Sequence, residues 1–147
     1  MRKGMDIGLF VGLTALDQLV KMLAALRTAA LIPGVVRLNY TENRGFSLGL
    51  FDGAGMIALI LSLAVFSGLI IVLIRLKRPS PLRLPLICIC AGALGNLIDR
   101  IFLGYVRDMF ELLFIRFYVF NPADMYVTLG ALSCAILLLT ADGKEQP

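Results

Sequence analysis

GMIALILSLAVFSGLIIVLI, residues 55–74, runs for 20 residues without a single charge. A helix of roughly 20 apolar residues crosses roughly 30 Å of hydrocarbon while satisfying all of its own backbone polar groups. The stretch therefore reads as a membrane span. The whole chain agrees with it: of 147 residues, 59% are hydrophobic and only 16% charged, and the mean hydropathy is +0.89. Three further runs have the same character. LRLPLICICAGALGNLI, residues 82–98, admits Arg83 at one end, where the side chain can snorkel toward the headgroups. MYVTLGALSCAILLLT, residues 125–140, has Asp124 just before it, and a less regular run over about residues 6–25 contains Asp17.

The N-terminal MRKGMDIGLFVGLTALDQLVKMLAAL has the basic start and apolar run of a signal peptide. Asp17 and Lys21 inside it, and the lack of a small-x-small cleavage site, favour a retained first span. The expectation is an all-α integral membrane protein of four transmembrane helices. Residues 1–147 form a single domain, with extracytoplasmic loops at about 27–54 and 99–123.

Orientation follows from the cations. RLKRPSPLR, residues 75–83, carries Arg75, Lys77, Arg78 and Arg83 and no acid; with Arg2, Lys3 and Lys144, one side of a four-span chain holds seven of the 14 basic residues. The positive-inside rule puts both termini and this loop in the cytoplasm. The acids and amides then face outward. In the first outer loop, the alternation in VVRLNY and the glycines at 45, 49, 53 and 55 predict a small β-type platform on the membrane surface. In the second, Phe110, Phe114, Phe117 and Tyr118 at near-helical spacing predict an interfacial amphipathic segment.

Several chemistries drop out. The net charge is +4, but the cations cluster at span ends and form no tract with interleaved aromatics, so nucleic acid is not expected as a partner. There is no histidine; Cys88, Cys90 and Cys134 lie in apolar runs without ligand spacing, so no metal or other cofactor is expected. Ser47 has neither a histidine nor a lysine of its own segment to activate it.

Carboxylates remain. Asp17 and Lys21, four apart on one helical face, form an ion pair that neutralises the acid inside the bilayer. Gly92, Asn96 and Arg100 follow one face of the third span: the glycine permits close helix approach, the amide can orient a carboxylate, and the guanidinium can pair with an acid or clamp an oxygen. Asp108 in GYVRD and Asp124 in FNPAD can meet at the outer mouth if the loop between them folds back. Two adjacent carboxyls in low dielectric share a proton, so one takes a proton from water while the other donates to a carbonyl oxygen. On chemistry alone three classes stay open: a carboxylate hydrolase, a small proton-coupled carrier using these acids as relay sites, and a structural or lipid-binding membrane protein.

Five blocks in order carry a resemblance: DQLVK (17–21), NRGFSLGLF (43–51), GALGNLIDR (92–100), GYVRD (104–108) and FNPAD (120–124). Together they resemble lipoprotein signal peptidase, the type II signal peptidase of bacteria, over about residues 6–139. Phe46, Ser47 and Leu48 stand where many members have Ala-Ala-Phe. The resemblance implies a four-span aspartic endopeptidase of the bacterial inner membrane, active near its outer face. It removes the signal peptide immediately before a diacylglyceryl-modified cysteine. It implies Asp108 and Asp124 as the catalytic residues, and Asp17, Lys21, Asn43, Gly92, Asn96, Arg100 and Asn121 as site-supporting. Asn43 and Gly45 are expected to help position substrate. The expected partners are diacylglyceryl-modified prolipoprotein precursors and membrane lipids, with the enzyme a monomer.

Overall fold

The computed structural model describes residues 3–25, 29–45, 55–115 and 118–142. Phe46, Ser47 and Leu48 of the first-loop motif lie outside them, as do Arg2, Arg27, Asp52, Arg116, Phe117 and Lys144. Among the described residues there are four long apolar helices: α1 (Lys3–Ala24), α2 (Gly55–Arg75), α3 (Arg83–Leu103) and α4 (Pro122–Asp142). A small antiparallel sheet completes the fold, with β1 (Ala29–Ile32), β2 (Val36–Asn43) and β3 (Val106–Leu112) in that spatial order.

Helix α3 is the central element, with α1, α2 and α4 packed around it. It buries Ile87, Cys90, Ala91 and Leu97, whereas α2 buries only Ala58 and leaves Ile57, Ile60, Leu63 and Val65 exposed. Such an outward apolar surface suits lipid, which removes any hydrophobic drive between helices and leaves packing and polar contacts to join them. Small residues on α3 meet that need. A Cβ on Gly92 would run into the carbonyl of Ala123 and lie 2.9 Å from Val127 Cγ2, so α4 can approach only because that atom is absent.

The sheet sits on the outer ends of the helices. Pro33 and Gly34 make the β1–β2 turn, with the Val35 N–H donating to the Ile32 carbonyl at 3.0 Å and Gly34 at φ 73°. Pro followed by a positive-φ glycine is the type II pattern. Strand β2 pairs with β3 through Arg37 opposite Glu111, Thr41 opposite Asp108 and Asn43 opposite Val106. Arg37 donates to Glu111 Oε2 from Nε at 3.0 Å and from Nη2 at 2.7 Å, which pins the register.

Three expectations are corrected here. Residues 106–112 form a strand instead of helical-period amphipathic structure. Gly104, at φ 78°, caps α3 and turns the chain back, and pairing with β2 then fixes an extended backbone whose Val106, Asp108 and Met109 are buried. The third span continues past residue 98 to Leu103, so the outer loop begins later than about 99 and Asp99 is helical, on the same helix as Arg100. Arg83 does not snorkel: it is buried, and bonds Asp6 Oδ2 and the carbonyls of Leu73 and Leu76.

The orientation is checked by single cysteines at Thr41, on the sheet, and at Lys77, in the cation-rich loop. A membrane-impermeant thiol reagent should label the first in intact cells and the second only after permeabilisation. The reverse pattern would invert the topology.

Candidate active site

Asp124 is placed by the way α4 begins. Asn121 is the N-cap: its Oδ1 accepts the Asp124 N–H at 3.0 Å, and Asp124 Oδ2 accepts the Asn121 N–H at 3.1 Å. This reciprocal cap satisfies two otherwise orphaned donors, and Pro122 occupies the first helical position, where a missing N–H costs nothing. The cap leaves Oδ1 of Asp124 for other partners. It accepts from Asn96 Nδ2, on α3, at 2.8 Å.

Asp108 arrives from the opposite side on β3, and is 3% exposed. Its Oδ1 accepts from Asn121 Nδ2 at 2.6 Å and its Oδ2 from Asn43 Nδ2, at the end of β2, at 3.0 Å. Asn121 Nδ2 also reaches Asn96 Oδ1 at 3.1 Å, so one amide links the surroundings of both acids. The Gly45 N–H donates to Asn43 Oδ1 at 3.2 Å, which fixes the orientation of the Asn43 amide. Burial, and after it the negative charge of Asp124, pushes the Asp108 carboxyl up to about 6, against the Asn121 and Asn43 donors that favour its ionised form. The Arg100 guanidinium acts on the pair through its charge, which Asp124, Asp108 and Asp99 all feel.

Behind this pair lies a buried ionic cluster. Lys21 Nζ, 0% exposed, is 3.0 Å from Asp17 Oδ2, 3.4 Å from Asp99 Oδ2 and 2.9 Å from Asn96 Oδ1. Asp17 Oδ1 accepts the Ala123 N–H at 2.9 Å, tying α1 to the first turn of α4. A Cβ on Gly95 would collide with the Asp17 carboxylate, so that glycine too is a condition of the contact. Arg107 closes the cluster, donating from Nη2 to Asp99 Oδ1 and to Gln18 Oε1, both at 2.7 Å.

A cleft of about 500 Å³ opens beside the acids. Asn43, Asn96, Asp108 and Asp124 form its polar end; Val127, Leu129 and other residues of α4 extend it along an apolar wall. Met125 and Leu129 are themselves exposed on the lipid-facing side, so the cleft is continuous with the bilayer surface of the helix.

All of the residues singled out from the sequence converge on this region: Asp17, Lys21, Asn43, Gly45, Gly92, Asn96, Arg100, Asp108, Asn121 and Asp124. Sequence reasoning gave no role to Gln18, Arg107 or Asp99. The available signal was charge balance, because Lys21 with a single acid left Asp99, in the same apolar bundle, unaccounted for. The cap in FNPAD was also legible as Asn followed three residues later by Asp around a proline.

Removing Lys21 would leave the Asp17 and Asp99 carboxylates facing each other in the bundle. Lys21→Met should therefore destabilise the protein by roughly 3–5 kcal/mol, the usual cost of breaking a buried ion pair. Thermal unfolding in detergent reads this directly. The double variant Lys21→Met/Asp17→Asn, which removes one carboxylate as well, should recover part of the loss.

Comparison with known proteins agrees with this geometry. Residues 9–140 match the family model described as Signal peptidase (SPase) II. The lipoprotein signal peptidase of Clostridioides difficile is 40% identical over 140 residues, covering 91% of this chain and 94% of that protein. That of Clostridium acetobutylicum is 37% identical over 135 residues, covering 89% and 85%. Among solved structures, a bacterial membrane enzyme determined by the in meso method at 2.3 Å superposes with a TM-score of 0.90 at 26% identity, covering 98% of this chain and 93% of that one. None of these comparisons supports the proton-coupled carrier. With the match spanning all four helices and the sheet, the chain belongs to the signal peptidase II family.

Proposed function

We propose that Asp108 and Asp124 are the catalytic pair with which this enzyme hydrolyses prolipoprotein precursors, at the peptide bond immediately before the diacylglyceryl-modified cysteine. The observation that carries this reading is the shared amide cage. Two carboxyls from different elements are held by Asn43, Asn96 and Asn121 at the polar end of a cleft whose other wall faces lipid.

Charge balance supports one shared proton. Lys21, Arg100 and Arg107 stand against Asp17, Asp99, Asp108 and Asp124, so the assembly is neutral when one acid of the pair is protonated. In that state the ionised carboxylate removes a proton from water as the water oxygen attacks the scissile carbonyl. The protonated carboxyl gives its proton to the carbonyl oxygen, forming a neutral gem-diol. Collapse of this intermediate breaks the C–N bond: the proton taken from water passes to the departing amine, and the carboxylate that gave up its proton takes one back from a gem-diol hydroxyl, which restores the starting state of the pair.

Substrate choice follows from position. The diacylglyceryl chains partition into the bilayer and bring the scissile bond to the outer boundary, so lipid binding remote from the bond contributes orientation at the acids. The apolar α4 wall, with Val127 and Leu129, offers surface for that part of the substrate. Asn43 and Gly45 set the sheet side of the entrance.

Asp108→Asn and Asp124→Asn keep the side-chain volume and one acceptor each while ending the proton cycle. Each should lower the cleavage rate of diacylglyceryl-modified precursor by roughly 10²- to 10⁴-fold or more in a folded protein, with precursor binding less affected. Near-normal turnover in either variant would refute the pair.

A second expectation concerns pH. The Asn43 amide favours ionised Asp108, so its removal raises the pKa at which the pair loses its last proton. Asn43→Ala should move the alkaline limb of kcat/KM against pH to higher pH from its wild-type position near the Asp108 value of about 6. A limb that stays fixed or moves to lower pH would count against Asp108 as a member of the pair.

A further inference from the structure

A second set of buried charges lies at the cytoplasmic ends of the helices, remote from the amide cage. Asp6 is 6% exposed, and its Oδ2 accepts from Arg83 Nε at 3.1 Å and Nη2 at 2.8 Å and also pairs with Arg78. Its Oδ1 is buried and has no hydrogen-bond partner, the only such side-chain atom among the described residues. Arg83 is fully engaged: its Nη1 donates to the carbonyls of Leu73 at 3.2 Å and Leu76 at 3.0 Å. Lys3, by contrast, is exposed, and the Arg78 side chain keeps 32% of its surface accessible.

These groups crown an apolar groove. Helices α1 and α2 each pack on α3, and a cleft of about 330 Å³ lies between them. Ile87 of α3 lines it, with Ile7 and Phe10 on the α1 side and Ile70 and Ile74 on the α2 side. Lys3, Arg78 and Arg83 against Asp6 leave an excess of two positive charges at its mouth. An apolar trough ending in a cationic rim at headgroup depth has the shape and charge of an acyl chain joined to a phosphate.

We propose that this groove is a binding site for one anionic phospholipid of the cytoplasmic leaflet whose headgroup carries hydroxyl donors, phosphatidylglycerol being the simplest. The phosphate lies against Lys3 and Arg78, a glycerol hydroxyl donates to Asp6 Oδ1, and an acyl chain fills the space between α1 and α2. Phosphatidylcholine satisfies neither requirement, having no net charge and no headgroup donor. Glycerol 3-phosphate has the charge and the hydroxyls but nothing to occupy the trough.

The test is native mass spectrometry of the full chain, delipidated in neutral detergent and titrated with each of these compounds. Two cations near a membrane surface correspond to a preference on the order of 10- to 30-fold for phosphatidylglycerol over phosphatidylcholine. Lys3→Gln/Arg78→Gln should erase most of that preference, with folding checked by circular dichroism because the Asp6–Arg83 anchor is untouched. Arg75→Gln/Lys77→Gln, which removes two cations of the same loop that do not line the groove, should keep it. Asp6→Asn should reduce selectivity for phosphatidylglycerol over phosphatidic acid, which lacks the glycerol hydroxyls. Equal retention of phosphatidylglycerol and phosphatidylcholine by the wild type would overturn the proposal. So would equal losses from both double variants, which mean bulk attraction, or glycerol 3-phosphate binding as tightly as the lipid.

Discussion

The Lys21 ammonium is the contact on which the outer half of the bundle depends. A charge removed from water is tolerated only when it is paired and its remaining donors are used. Lys21 meets Asp17, Asp99 and Asn96 at once, and with the Arg107 guanidinium on Asp99 the two acids nearest it are neutralised without solvent. Each partner then carries the constraint outward. Asp17 holds the first turn of α4 through the Ala123 N–H, Asp99 holds the start of β3 through the Arg107 N–H and guanidinium, and Asn96 holds Asp124. Helices α1, α3 and α4 and strand β3 thus share one electrostatic node.

That node divides the acids into two kinds. Asp17 and Asp99 touch cations directly. Asp108 and Asp124 are held by asparagine amides and backbone N–H groups, with Arg100 acting through charge. Neutral donors orient a carboxylate with far less pull on its proton than an ion pair exerts. Asp108 accordingly titrates at about 6, above an ordinary aspartate, because burial and the neighbouring Asp124 outweigh its two amide donors. An acid fixed in place yet able to exchange its proton near neutrality is what acid–base hydrolysis needs.

The sequence made the spans legible because an uncharged run of 20 residues has few alternatives, and it made the acids legible because ionisable groups beside such runs need partners. Its weaker readings were those decided by distant partners. Phe110, Phe114 and Phe117 have a helical period, yet β2 supplies the hydrogen bonds that make residues 106–112 a strand, and no local pattern encodes a neighbour some 70 residues away. The end of α3 was read at the first charge, Asp99, whereas the chain stops at Gly104, whose positive φ permits the turn. Arg83 at a span end reads as a snorkelling cation until Asp6, on another helix, is seen to hold it inside.

Helix packing and site geometry are a single constraint in this fold. Gly92 and Gly95 stand on α3 a little under one turn apart, one facing Ala123 and Val127 of α4, the other facing Asp17 of α1. Because neither has a Cβ, α4 can sit close enough for Asn96 to reach Asp124 at 2.8 Å, and α1 close enough for Lys21 to reach Asn96 at 2.9 Å. A single methyl at either position would displace a helix by a large fraction of a hydrogen-bond length, and the displacement would fall on the amide that orients the acid. In a soluble protein such a shift can be absorbed by apolar repacking. Here lipid gives the helices no reason to close up again, so the polar contacts and the glycines that permit them set both the fold and the spacing of the two carboxyls.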